Sequence, residues 1–145
     1  MKWIYFVIFS LFSAVSYAEP LNIVGQWQGE YRIYVYHNGE SHKGLASLMF
    51  TVTEQDKEFL HAKYVWQLNK ANVAKPDVAG KQVKGAEEEL LGIFSFNEKD
   101  ITFIETEDNG VLKMTIIDND TIQAVYHENQ HHEATLYRVK LKRVK

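Results

Sequence analysis

The chain has 145 residues, 16 Lys and Arg against 19 Asp and Glu for a formal net charge of −3, and no cysteine. Disulfide scaffolding, thiolate chemistry and lipid attachment at an N-terminal Cys are thereby excluded, so the fold must be held by its core. A mildly acidic balance with both signs interspersed creates no field to draw in nucleic acid or an anionic membrane, and this length suits one domain with a true hydrophobic interior.

In chain order, the first segment has the layout of a secretory signal peptide. Met1-Lys2 supplies one positive charge, residues 3–15 form an uncharged apolar run, and Ser16-Tyr17-Ala18 places small residues where a signal peptidase cuts. Cleavage is predicted after Ala18, which makes the protein secreted or periplasmic and not a lipoprotein. A retained membrane anchor is the alternative, but the run is shorter than the ~20 residues a spanning helix needs. No second such run follows, so no transmembrane segment is expected after cleavage. Residues 19–145 read as a single domain.

From residue 24 onward the dominant signal is period-two alternation, the mark of strands with one buried and one wet face. Over residues 24–37 one phase reads Gly25, Trp27, Gly29, Tyr31, Ile33, Val35, and the other Gln26, Gln28, Glu30, Arg32, Tyr34, Tyr36. Asn38-Gly39 then predicts a tight hairpin turn, because both central residues of such turns need positive φ. A second strand over 43–54 carries Ala46, Leu48, Phe50 and Val52 on one phase. A third over 58–68 carries Leu60, Ala62, Tyr64, Trp66 and Leu68.

Alternation stops over residues 69–86, a connection long enough to be a binding loop, a lid or a solvated insertion. It holds Lys70, Lys75, Lys81 and Lys84, and Glu87-Glu88-Glu89 follow. Further strands are predicted over 88–96, 101–106, 111–117, 121–127 and 133–144, with turns at 97–100, 108–110, 118–120 and near Asn129-Gln130. Eight strands joined mostly by short turns predict an all-β fold, an antiparallel up-and-down barrel closed on itself, with a β-sandwich as the alternative. An outer-membrane barrel would need an apolar outward phase, whereas the first strand's outward phase is Gln26, Gln28, Glu30 and Arg32.

Gly25-Gln26-Trp27 at the head of the first strand resembles the Gly-x-Trp signature of the calycin superfamily: lipocalins, avidins and fatty-acid-binding proteins. The resemblance implies a barrel whose Trp closes one end, with a basic side chain of the last strand lying across the ring. Here those residues are Trp27 and Arg143, the latter in phase with inward Tyr137, Val139 and Leu141. The chain departs from the lipocalin pattern in lacking a Thr-Asp-Tyr type turn motif and a helix after the last strand. In strand number and length it is more similar to avidins, without a biotin-binding set that maps onto it.

Six inward aromatic residues, Tyr31, Phe50, Tyr64, Trp66, Phe103 and Tyr126, are the candidate ligand-binding set, since apolar walls with a few phenol hydroxyls suit a small-molecule pocket. The same residues would also describe a solid core, and both outcomes stay open. Glu105 shares a phase with Ile101 and Phe103, which aims a carboxylate inward near an open end. If the turn is at Asn129-Gln130, His127 and His132 face one another and could share a metal; otherwise the segment is a wet hairpin tip. No cofactor is implied.

Enzyme motifs are absent: no Ser-His-Asp order, phosphate loop, zinc-protease helix or spaced carboxylate pair can be assembled. Two functions follow. One is an exported barrel that binds a small apolar or amphipathic ligand through those aromatics. The other is an interaction or inhibitor module of the cell envelope, meeting an envelope or extracellular protein through the 69–86 loop and hairpin tips. A barrel enzyme of isomerase or cyclase type would need Glu105 or Tyr126 deep in a pocket.

Overall fold

The alternating segments become eight strands: β1 (Gly25–His37), β2 (Glu40–Asp56), β3 (Phe59–Leu68), β4 (Glu88–Phe94), β5 (Asp100–Glu105), β6 (Val111–Asp118), β7 (Thr121–Gln130) and β8 (Glu133–Arg143). They come from a computed structural model that describes residues 20–68, 85 and 87–145. The signal segment with its cleavage point, and residues 69–84 and 86 of the long connection, lie outside the described residues.

Each strand pairs antiparallel with the next, and β1 also pairs with β8 from Trp27↔Arg143 to His37↔Glu133, so the sheet is a closed barrel. Closure leaves no unpaired sheet edge, which sets the sandwich alternative aside. The β1–β2 hairpin turns on Asn38 (φ 49°) and Gly39 (φ 88°), the positive-φ pair that matches the right-handed twist of its strands. The fourth strand ends at Phe94, two residues short of the predicted bound, and Phe96 is fully exposed.

Alternation fixes what faces inward. Trp27 and Tyr31 of β1, Leu48, Phe50 and Val52 of β2, and Leu60, Ala62 and Tyr64 of β3 are buried, while Gln26, Gln28, Glu30 and Arg32 face out. The first half of β1 thus has an apolar inner face and a polar outer one. Where β1 crosses β8, Gly29 lies so close that a Cβ would come 2.5 Å from the Lys140 carbonyl oxygen and 2.7 Å from Val139 Cγ2. Only glycine fits there without moving backbone.

One end is plugged. Ile23 and Trp27 are fully buried, and the Trp27 indole N–H donates to the Ile23 carbonyl at 3.0 Å. Arg143 places its guanidinium carbon 4.2 Å from the Trp27 ring centroid and donates to the carbonyls of Asn22, Val24 and Asn119 at 3.0–3.1 Å. One side chain thereby ties the segment before β1 and the β6–β7 turn across the end of the barrel. Phe50 and Phe103 meet edge to face at 5.2 Å in the layer above, an arrangement worth about 0.5–1.5 kcal/mol beyond burial.

The other end is uneven. β1, β2, β7 and β8 run 13, 17, 10 and 11 residues, whereas β4, β5 and β6 run 7, 6 and 8. One side of the wall therefore stands taller than the other, and the turn between β5 and β6 sits at the lip of the low side.

Candidate functional site

A cavity of about 290 Å³ occupies the barrel at the end away from Trp27. That volume is at the small end of the range for ligand pockets. The interior is thus filled in its lower half and hollow above, so the question of cavity against solid core has a divided answer. A larger depression, about 730 Å³, lies on the outer wall beside Gln28, Ser47 and Lys140. It is lined mostly by outward-facing side chains and open to solvent, whereas the interior cavity gathers buried polar groups.

Tyr31, Tyr64, Trp66 and Tyr126 of the predicted set line the cavity together with Tyr137. Phe50 and Phe103 do not: they lie in the packed layer beneath it, both 0 % exposed, and form its floor support. Phase alone could not separate them, because all six share the inward face and differ only in height along the barrel axis. Gly85, the one described residue of the long connection's middle, donates its N–H to the Trp66 carbonyl at 3.0 Å and lies against the Trp66 ring where a Cβ would clash.

The polar centre is Glu105, at the end of β5 and only 7 % exposed. Its Oε1 accepts from the Tyr64 hydroxyl and from the Tyr126 hydroxyl at 3.0 Å; its Oε2 accepts the Gly110 backbone N–H at 3.1 Å. The turn makes this possible: Glu105 and Gly110 also pair backbone to backbone, and a Cβ on Gly110 would collide with the carboxylate. Burial makes a carboxylate costly unless it is hydrogen-bonded, and three donors from three elements meet that need. Tyr126 reaches a second carboxylate as well, Glu128 at 3.1 Å.

Rings stack above this centre. Tyr137 lies 4.2 Å from Tyr31 and 4.7 Å from Tyr126, the latter nearly parallel at 12°. Its hydroxyl is buried and has no hydrogen-bond partner. Burial raises the pKa of Tyr31, Tyr64, Tyr126 and Tyr137 well above the ordinary phenol value, so all four remain protonated donors at any working pH. Glu88 and Glu128 are also pushed up, by burial first and then by neighbouring acids that include Glu105. The shorter side of the wall supplies Glu88, Glu105 and Asp108; the taller side supplies Glu128, Glu133 and most of the tyrosines.

The histidine pair expected at the last hairpin is not formed. The turn residues are His131 and His132, Gln130 pairs with Glu133, and His127 lies opposite Leu136 on the outer face. Core matching decides this: the observed register sets Ile122 against Leu141, Ala124 against Val139 and Tyr126 against Tyr137, whereas a turn at Asn129-Gln130 would set Tyr126 against Glu133. His132 takes a left-handed φ of 68° to allow it, and its carbonyl accepts the Asn38 N–H at 3.1 Å. Among the described residues no group of three or more His, Cys, Asp or Glu is placed to hold a metal ion.

Glu105 was marked by its phase. Tyr137 was likewise read as inward, but the contributions of Gly110, Glu88 and Glu128 were not marked, because each depends on which strand ends meet around the mouth. The Asp108-Asn109-Gly110 turn signal was the one hint for Gly110, and it pointed to chain reversal rather than to a carboxylate.

No protein-family model matches the sequence, and no curated protein matches it. Among solved structures, the S-type phycobiliprotein lyase CPES from Guillardia theta aligns with a TM-score of 0.47 at 10 % identity, over 85 % of this chain and 89 % of that one. At that level nothing about ligand or activity passes from one chain to the other. The eight-stranded closed up-and-down barrel stands on this chain's own strand pairing.

Proposed function

We propose that this protein is an exported barrel that binds a small amphipathic molecule in its interior. One observation carries the reading: the open cavity of about 290 Å³, walled by Tyr31, Tyr64, Trp66, Tyr126 and Tyr137 around the hydrogen-bonded carboxylate of Glu105. Aromatic walls supply contact area, and a few converging polar groups set orientation. An interaction module acting through its loops would have no use for a hollow interior, and filling this one would add stability. The signal-peptide layout of residues 1–18 supports export to the periplasm or beyond.

Native mass spectrometry of the protein purified from its own host, before and after organic extraction, tests this. A small molecule released by solvent is the expected result, and it would also reveal the ligand's class. A protein that is empty and carries a stoichiometric partner chain would overturn the reading in favour of the interaction module.

A further inference from the structure

We infer that the molecule held in the cavity is an organic cation, an amine whose ammonium group sits among Glu105, Glu128 and Glu88 while its apolar body lies against the tyrosine and Trp66 rings. The inference rests on the binding reading above and adds the sign of the ligand's charge. Every ionisable side chain in the wall other than tyrosine is a carboxylate: Glu88, Glu105, Asp108, Glu128 and Glu133. No Lys, Arg or His lines the cavity among the described residues. Of the five, Glu133 has an imidazole neighbour outside the wall, with His37 Nδ1 at 3.4 Å.

Hydrogen-bond capacity points the same way. Tyr64 and Tyr126 already donate their hydroxyl protons to Glu105, so what remains open on them is lone pairs. Carboxylates accept only. An ammonium group brings three donors and no acceptor, which complements this wall, whereas an anion would meet lone pairs on almost every side. Tyr137 is the second, independent sign. The residue is 8 % exposed, lines the cavity, and holds a buried hydroxyl without any partner, a deficit that a polar group of a ligand can fill. Its ring stacks on that of Tyr126 and lies tilted against that of Tyr31, and electron-rich ring faces attract cations.

Burial first, and then the like charge of neighbouring acids, pushes the pKa of Glu88 and Glu128 up. A bound cation offsets that like charge. Among the described residues no three acids converge tightly enough to hold a metal ion, and the tyrosine and Trp66 rings give an organic body its contact area.

Calorimetric titration at pH 7 with matched probes decides the matter: tryptamine against tryptophol and indole-3-acetate, and 2-phenylethylamine against 2-phenylethanol. Uptake of the neutral dye Nile red monitors the cavity itself. Each amine should bind at least tenfold more tightly than its alcohol, with the acetate weakest. In Glu105→Gln, and independently in Glu128→Gln at the half-exposed rim, the ratio of amine to alcohol affinity should fall below threefold. An alcohol or the acetate binding as tightly as the amine overturns the inference and leaves the binding reading standing, as does dye uptake that no amine displaces. A protein that takes up neither dye nor any probe overturns both.

Discussion

Replacing Tyr137 by phenylalanine removes one oxygen from a buried site where that oxygen has no partner, and it should make the protein more stable. The ring keeps its contacts with Tyr31 at 4.2 Å and Tyr126 at 4.7 Å, so nothing is lost in packing. A buried polar group left unsatisfied costs about 1–3 kcal/mol, and the lower end applies beside a cavity that water can enter. The expected gain for Tyr137→Phe is therefore about 1 kcal/mol, which for a domain of this size raises Tm by roughly 3–5 °C. Urea denaturation followed by tryptophan fluorescence gives the free energy, provided that the slope against denaturant is unchanged. Tyr126→Phe is the control of opposite sign, since its hydroxyl bonds Glu105 and Glu128 and its loss takes one of three donors from the buried Glu105 carboxylate, which keeps Tyr64 and Gly110, at a cost of about 1–2 kcal/mol. A Tyr137→Phe protein destabilised by 1 kcal/mol or more would refute the reasoning, because the hydroxyl would then be a structural group. A stabilised variant with weakened ligand binding would mark Tyr137 as held for function at the expense of stability.

Arg143→Met keeps the alkyl stem but loses three hydrogen bonds to backbone carbonyls and the contact with Trp27, so it should destabilise by about 2–4 kcal/mol with the cavity end unaffected. A change under 1 kcal/mol in a urea melt would show that the closed end does not depend on that side chain. Glu88 and Glu128 hold protons more tightly in the folded chain than in the unfolded one, so the folded state binds more protons between the ordinary value of 4.5 and their raised values. Stability should accordingly fall as pH rises through that window, and the fall should flatten in Glu88→Gln/Glu128→Gln; an unaltered slope in the double variant counts against it. Asp100 and Asp118 act oppositely: hydrogen bonds lower their pKa, so the stability they contribute is lost as pH drops below 3.8.

Strand identity and facing were legible in the chain because a side chain's face is a local property. The residues at i and i+2 share it whatever the rest of the molecule does, and so the alternation of β1 announced both Trp27 and Tyr31 as interior and Gln28 and Glu30 as exterior. Asn38-Gly39 was equally readable, since a turn's φ requirement lies within its own two residues. Facing does not specify depth. Phe103 and Glu105 are two residues apart on one strand and one face, yet the first is sealed in the packed layer and the second sits at the cavity's polar centre.

Depth is set by the tilt and register of all eight strands together, which only closure of the sheet determines. The same holds for the last hairpin. Local chemistry favoured Asn129-Gln130 for the turn, but the match of Tyr126 to Tyr137 and Ile122 to Leu141 outweighed it and separated His127 from His132. Sequence alone thus determined which residues face inward and the count of eight strands, while the pairing of β1 with β8 decided for a closed barrel over a sandwich. The tertiary structure decided that Tyr64, Glu105, Tyr126 and Tyr137, from four different strands, would meet around one half-open space, because contacts across a barrel depend on strand ends far apart in the chain.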